Sequence, residues 1–255
     1  MNAFQTPLRW LVLFAAGCTG ALAQDPPLPT EALKRFKAVS PVQARIQLQL
    51  WTQETLKGRT TTDQASVSLE VDQDGSKLHT TWPLAVLDRA NEEARRKDEG
   101  GEGGTPSREA IQELEPARIH HLLDQGRVLA GLLKGATFIK ESQDRWEGRP
   151  ARLLVYSFKP RLTRYEATYM RRSKGTFRLW TLADGTPLAS ESATDYEGKT
   201  SRFFGRIQSS VRVETRYQVV GDHLAVDRRL VENARSAEDG SELSSSKRTF
   251  TVDAK

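Results

Sequence analysis

Strict alternation of apolar and polar residues marks the first long element of the chain. In VQARIQLQLW, residues 42–51, the apolar positions Val42, Ala44, Ile46, Leu48 and Leu50 share one phase, and glutamines with Arg45 occupy the other. Side chains of a strand point alternately to opposite faces. The pattern therefore predicts a strand of a wide antiparallel sheet with one face buried and the other in water.

The next segment repeats this alternation and then turns back. ASVSLEV, residues 65–71, alternates in the same way, and Asp74-Gly75 supplies a turn signal before KLHTTW, residues 77–82. A short polar turn with glycine between two alternating runs is typical of an antiparallel hairpin.

The hydrophobic period changes from about residue 83 to residue 134. Residues 83–97 have a helical pattern with a heavily charged face, and an acidic, glycine-rich loop follows at 98–104. Pro106 begins a second helix, and Pro116 breaks or kinks it. A leucine-rich helical pattern then continues to Gly135. We interpret this stretch as a helical insertion between two groups of strands.

From residue 136 onward the pattern is almost entirely that of strands separated by turns. Residues 203–219 keep one phase throughout, which indicates either one long strand bent at Gly205 or two strands meeting at Ser209-Ser210. The cationic segment TYMRRSKGT, residues 168–176, is interpreted as an exposed loop. The turn signals are Glu147-Gly148, Asp184-Gly185, Glu197-Gly198, Gly221-Asp222 and Asp239-Gly240.

The N-terminal residues predict export. A short apolar run after Arg9 ends at Ala21-Leu22-Ala23, a secretory cleavage pattern, so residues 1–23 are interpreted as a signal peptide and the protein as periplasmic. The alternative is a lipoprotein signal ending before Cys18, with lipidation of Cys18 and anchoring to the outer membrane. Residues 24–40 form a Pro-rich leader with a short helix over 30–39, and residues 41–255 a single domain.

Composition narrows the chemistry without assigning any. Cys18 is the only cysteine, the net charge is +5, and the arginines are spread along polar strand faces rather than collected on one helix. We therefore predict no nucleic-acid partner, no disulfide, no metal and no cofactor. His120 and His121 are adjacent on a predicted helix and point apart, and no G-x-S-x-G motif occurs. Asp222-His223, which could form part of a triad, sits at a predicted hairpin tip; we predict no catalytic residues.

Two local segments carry a resemblance to a known family. WEGRPARLLVYSFKP, residues 146–160, and FRLWTLADGTPLASESATDYEGKTSRFFGRI, residues 177–207, resemble the outer-membrane lipoprotein carrier and sorting superfamily. Some periplasmic regulators of sigma factors share that fold. The resemblance implies an unclosed half-barrel whose apolar concave face, plugged by helices, receives acyl chains. The chain departs from the family pattern in the glycine-rich loop at 98–104 and in its lack of cysteines in the mature domain.

Together these patterns predict an α+β fold, a strongly curved antiparallel sheet or unclosed half-barrel with the insertion over its concave face. The leading functional hypothesis is a non-enzymatic periplasmic protein that binds an acyl chain, lipid or lipoprotein. An envelope protein-binding regulator or scaffold with a filled core is the alternative, and a secreted hydrolase ranks last. The ligand-binding face is expected to contain Ile46, Leu48, Leu50, Val67, Leu69, Trp82, Ile207, Val211, Val213 and Tyr217. The movable cover, or lid, is expected to contain Ile111, Leu114, Ile119, Leu122, Leu129 and Leu132.

Overall fold

The computed structural model describes residues 29–101, 103–160, 162, 170–199, 205–237 and 242–255. The helices are α1 (Pro29–Leu33), α2 (Leu84–Asp98), α3 (Pro106–Glu113), α4 (Pro116–Leu123) and α5 (Gln125–Lys134). The strands are β1 (Val42–Leu56), β2 (Arg59–Asp74), β3 (Lys77–Thr81), β4 (Thr137–Trp146), β5 (Arg149–Phe158), β6 (Met170–Thr181), β7 (Pro187–Lys199), β8 (Arg206–Val220), β9 (His223–Ala237) and β10 (Glu242–Ala254).

All ten strands form one antiparallel sheet in the order β3-β2-β1-β10-β9-β8-β7-β6-β5-β4. Every neighbouring pair is consecutive in sequence except β1 and β10, so the last strand of the chain pairs with the first. Strands β3 and β4 are the two edges and do not pair with each other. The prediction of an extensive antiparallel sheet that is left unclosed is therefore confirmed.

The register gives the sheet two chemically different faces. Ile46 lies opposite Leu69 on β2 and Val252 on β10, so the apolar phases of the three strands fall on the same side. We call this side, which bears Ile46 and Leu48, the helical face, because the helices pack there. The other side, which bears Gln47 and Gln49, is the open face.

The helices contact the helical face at different places. Helix α3 packs against β1 and β2, whereas α4 and α5 pack against β9. Helix α2 packs on α3, and the buried Glu93 of α2 accepts a hydrogen bond (2.8 Å) from the backbone N–H of Ser107 in the first turn of α3. That bond satisfies one of the free N–H groups at a helix start.

Two apolar clusters result from this packing. The large core joins β1, β2, β9 and β10 to α3 and α4, and the small core joins β5, β6 and β9 to α1 and α5. A minor cluster of Ala151, Trp180 and Ala189 lies apart from them, on the open face of β5 to β7. Stability therefore comes mainly from helix–sheet packing on one side.

The long strands reach well beyond the two cores. Along β1 the helical-face residues are buried from Val42 to Leu50, and burial then falls from Trp51 to Leu56. We call Val42–Leu50 and its register partners the proximal half of the sheet, and Trp51–Leu56 with its partners the distal half.

One hairpin was not recognised in the sequence. Strands β1 and β2 continue to Leu56 and from Arg59, joined by Lys57-Gly58 with φ values of 50° and 81°. Positive φ at both turn residues is the type I′ geometry that suits the twist of a hairpin. The prediction missed it because residues 52–64 are polar on both faces, which hides the period of two.

Several predicted boundaries are wrong. Helix α1 ends at Leu33, whereas a helix was expected over residues 30–39, and Ala38 has a φ of 50°. Glu197-Gly198, expected to be a turn, lies inside β7, where Gly198 pairs with Ile207. Hydrogen bonding to neighbouring strands overrides a weak local turn signal.

Two further expectations concern β6 and β8. The segment expected to be an exposed loop at 168–176 is strand β6 from Met170 onward; residues 168–169 lie outside the described residues. Strand β8 is continuous from Arg206 to Val220, so the alternative of two strands meeting at Ser209-Ser210 is wrong. Gly205 precedes the strand with a φ of 71°. The expected turn at Asp239-Gly240 also lies outside the described residues.

Candidate ligand-binding face

Five of the predicted ligand-binding residues form the floor of the large core. Ile46, Leu48 and Leu50 of β1, with Val67 and Leu69 of β2, are at most 4 % exposed. They lie on the helical face in one cluster with residues of α3 and α4. These side chains are therefore covered by protein.

The predicted cover residues separate into two groups. Leu114, Ile119 and Leu122 are buried in the large core, above the β1 and β2 residues. Leu129 is buried in the small core, and Leu132 packs against that cluster while half-buried. Ile111 is also half-buried. The insertion thus contributes to both cores rather than lying over one continuous surface.

Of the other five predicted binding residues, one packs beside the floor and four lie away from it on the helical face. Trp82 packs at the periphery of the large core, and Tyr217 at that of the small core. Ile207 is 4 % exposed near the distal end of β8, whereas Val211 and Val213 are half-buried. The helical face is apolar in the proximal half and becomes mixed further along the same strands.

A row of polar residues crosses the helical face between the two cores. Ser190 of β7, Thr215 of β8 and Arg229 of β9 lie opposite one another in register. The hydroxyl groups of Ser190 and Tyr217 are 2.5 Å apart and share a hydrogen bond. Burial raises the pKa of the Tyr217 hydroxyl, so it stays neutral and available as a hydrogen-bonding group.

Charged side chains of α3 and α4 lie near this row, and Arg118 of α4 is close enough to lower the pKa of Arg229. Glu113 of α3 forms ion pairs with Arg118 of α4 (2.9 Å) and with Arg248 of β10 (3.2 Å). Burial raises the pKa of Glu109, and the nearby carboxylates of Asp63 and Glu93 raise it further. Through its two ion pairs, Glu113 links α3 both to α4 and to strand β10.

At the proximal end of the sheet a polar cluster, which we call the clasp, ties three segments together. The Asp222 carboxylate, in the β8–β9 turn, accepts hydrogen bonds from the backbone N–H groups of Val39 (3.0 Å) and Ser40 (3.2 Å) and from the Ser40 hydroxyl. The Ser40 hydroxyl and these N–H groups lower the pKa of Asp222 to about 2. The buried His223 ring places Nε2 2.7 Å from the carbonyl oxygen of Ser40 and Nδ1 3.2 Å from that of Leu123, at the end of α4.

The clasp contains Ser, His and Asp side chains but lacks the order of a catalytic triad. A triad needs the serine hydroxyl bonded to the imidazole, which the carboxylate orients from behind. Here the Ser40 hydroxyl bonds Asp222, and both nitrogens of His223 face backbone carbonyl oxygens. The arrangement fixes the chain at a turn, as such pairs often do.

A groove with a volume of about 620 Å³ lies on the open face of the distal half. Two rows of register partners line it: Gln53, Ser245, Ala234, Ser210 and Asp195, then Thr55, Leu243, Ser236, Gln208 and Glu197. Hydroxyl, amide and carboxylate groups predominate. This groove does not have the apolar character expected of an acyl-chain site.

Neither a metal site nor a membrane-spanning helix is found in the described ranges. Within them, no group of three or more His, Cys, Asp or Glu side chains is placed to hold a metal ion. No helix among the described residues is long and apolar enough to cross a membrane. Cys18, the alternative lipidation site, lies outside those ranges.

Sequence reasoning missed the polar row and its charged neighbours. Arg229 and Arg248 occupy inward positions of β9 and β10, directly beside the apolar Phe250. An arginine in the apolar phase of a strand was the available signal. Strand β9 carries a bulge opposite Arg216 and Tyr217, which shifts its phase at Asp227 and hid that signal.

Comparison of the chain with models of protein families, with curated proteins and with solved structures finds no match.

Proposed function

We propose that this protein is a non-enzymatic binding protein of the periplasm that holds an acyl chain, of a lipid or a lipoprotein, against the helical face. The observation that carries this proposal is the continuous apolar floor formed by β1, β2, β9 and β10. The buried residues that cover this floor belong to α3 and α4 and to the residue that follows α3, Leu114. The helices and an acyl chain would compete for the same surface.

The cover is built so that its contacts can be exchanged. Helices α3 and α4 have eight residues each, and neither N-cap residue, Thr105 or Glu115, forms a side-chain capping hydrogen bond. Helices this short are not stable alone in water and depend on packing against the sheet. An acyl chain entering beneath them would replace helix–sheet contacts with chain–sheet contacts, each buried methylene contributing about 0.8 kcal/mol.

The proposal also covers the curvature of the sheet and the cellular location of the protein. We propose that the open sheet is curved as a half-barrel and that α3 to α5 plug its concave side. The signal sequence at residues 1–23 would bring the chain to the periplasm, with an anchor at Cys18 as the alternative. Both ideas rest on the sequence patterns and on the resemblance described above.

Native mass spectrometry of the chain purified gently from the periplasm tests the binding function. We expect a population heavier than the bare chain by the mass of one lipid, which denaturation releases. Leu50→Asn, at the distal margin of the large core, should lower the lipid-bound fraction, whereas Gln49→Asn, its open-face neighbour, should leave it unchanged. A bare chain in every preparation, even after addition of hexadecanoate, would contradict the proposal.

One observation favours a second function, that of a protein-binding scaffold or regulator with the same fold. The floor residues, at most 4 % exposed, already pack against leucines and isoleucines of the helices. A core filled in this way needs no ligand. Affinity capture that yields a single envelope protein, with no lipid in the same preparation, would support this alternative.

A further inference from the structure

Arg229 is a cation without a counterion in the middle of the helical face. Its register partners are Thr215 on β8 and Phe250 on β10, and Phe250 lies opposite Leu48. Thr215, Phe250 and Leu48 are at most 2 % exposed, and Arg229 itself is half-buried beside them. The arginine therefore sits between the large core and the small core.

The Arg229 side chain is half-buried, and part of its guanidinium group is removed from water without a partner. Its Nε atom is shielded from solvent and has no hydrogen-bond partner. Among the described residues no carboxylate forms an ion pair with Arg229. Glu113 of α3, the acid that pairs with the neighbouring cations, is already shared by Arg118 and Arg248. An unpaired buried charge is costly, and such groups in proteins are normally paired or bind an ion.

The surroundings of Arg229 favour an anion. Burial lowers the pKa of Arg229, the neighbouring cation Arg118 lowers it further, and Tyr217 raises it. An arginine stays protonated in proteins even so, and the site keeps its positive charge. The hydroxyls of Tyr217 and Ser190 lie along the same row and share one hydrogen bond, so one of their two hydroxyl hydrogens remains to be donated to an oxyanion.

We propose that the acyl chain bound by this protein ends in a carboxylate, and that Arg229 binds this carboxylate beneath the helices. This inference rests on the proposed acyl-binding function and specifies its ligand as a fatty acid or a similar single-chain anion. A carboxylate matches the two parallel N–H groups of one guanidinium. The chain itself would extend from Arg229 along Phe250 and Leu48, over the floor of the large core.

The proposal assigns carboxylate binding to Arg229 and not to Arg228, the arginine that precedes it. Arg228 is exposed and lies opposite Arg216 in the register of β8 and β9. It lines a small groove on the open face. The two residues are chemically identical and adjacent in the chain, but they point to opposite sides of the sheet. Arg228→Gln is therefore a matched control for Arg229→Gln.

Titration calorimetry of the delipidated protein with hexadecanoate, hexadecanol and acetate tests the proposal. We expect the wild type to bind hexadecanoate on the order of tenfold more tightly than hexadecanol, the gain of one charge-assisted ion pair. Arg229→Gln should abolish this preference while keeping hexadecanol affinity, and Arg228→Gln should retain it. Arg229→Lys, which keeps the charge, should retain part of the preference and serves if the glutamine variant does not fold.

The remaining outcomes distinguish failure of the carboxylate site from failure of the acyl-binding function. Equal binding of hexadecanoate and hexadecanol by the wild type would overturn the carboxylate site and leave the acyl-binding function standing. Binding of acetate as tight as that of hexadecanoate would overturn the proposal as well, because the site would then hold a free anion without a chain. Failure of both long-chain ligands to bind would remove the proposed function itself.

Discussion

The two halves of strand β1 share one ladder of hydrogen bonds but differ in what they bury. In the proximal half the helical-face residues Ala44, Ile46 and Leu48 are buried under α3 and α4. In the distal half the same face carries Thr52, Glu54 and Leu56, and Leu56 is 52 % exposed. Both halves pair with β2 and β10 along their whole length. The length of a strand is thus set by pairing, whereas the extent of the core is set by the helices available to cover it.

The two ends of the sheet also differ in how firmly they are attached to the rest of the protein. The clasp of Ser40, Asp222 and His223 ties the proximal end of the sheet to α4 through side chains. At the distal end the described turn, Lys57-Gly58, is exposed. We therefore expect the proximal half to unfold with the cores and the distal half to open separately.

A charge placed in the large core should have the largest effect. Leu122 of α4 is fully buried among the floor residues, so Leu122→Asp would bury an unpaired carboxylate. We expect a loss of about 4 kcal/mol or more in the free energy of unfolding, and exposure of the floor. Urea denaturation measures the first, and fluorescence of an apolar dye the second.

Two control variants test the comparison between halves and faces. Gln47→Asp places the same charge on the open face of the proximal half, and Thr52→Asp places it on the helical face of the distal half. Both should change the free energy of unfolding by about 0.5 kcal/mol or less. If all three variants bind dye at the wild-type level, α4 is not a removable cover. If Thr52→Asp matches Leu122→Asp, the distal half belongs to the core.

The parts of the fold that followed from sequence are those in which one face of a strand is apolar. Val42 to Leu50 and Ala65 to Val71 alternate, and both their strand character and their buried phase were predicted. The continuation from Trp51 to Gln64 was not, because both faces there carry Thr, Gln or acidic residues. Pairing with neighbouring strands decides such segments, and one chain segment read alone does not contain that information.

Neutralising the clasp should have an intermediate effect that depends on pH. Asp222→Asn keeps the side-chain shape but removes the charge that accepts three hydrogen bonds, so we expect a loss of about 1–2 kcal/mol at neutral pH. The folded pKa of about 2 lies below the ordinary value of 3.8, so this stabilisation is present above pH 3.8 and is lost as the pH falls towards 2. The difference in unfolding free energy between wild type and variant should therefore shrink over that interval. A difference that stays constant from pH 6 down to about pH 2 would contradict the role of the Asp222 charge.

The candidate site was predicted less completely than the fold. The floor residues Ile46, Leu48 and Leu69 were identified by phase alone, and the structure places them together. The polar row was not identified in the sequence, because the inward position of Arg229 depends on the bulge opposite Arg216 and Tyr217. A bulge moves every later residue of a strand to the opposite face, and no residue of β9 marks its position.

The smallest effect is expected at the distal hairpin, and it tests whether the two halves unfold together. Lys57 has a φ of 50°, a conformation that asparagine adopts at less cost than lysine in a type I′ turn, so Lys57→Asn should stabilise the β1–β2 hairpin by about 0.5 kcal/mol. If the distal half opens separately, this gain slows exchange of distal amide hydrogens about twofold and leaves the urea midpoint of the whole protein almost unchanged. Hydrogen exchange followed by mass spectrometry, with peptides covering residues 51–64 and 42–50, measures both halves in one experiment. An equal slowing of exchange in the two peptides, together with a raised urea midpoint, would mean that the ladder of hydrogen bonds alone couples the distal half to the core.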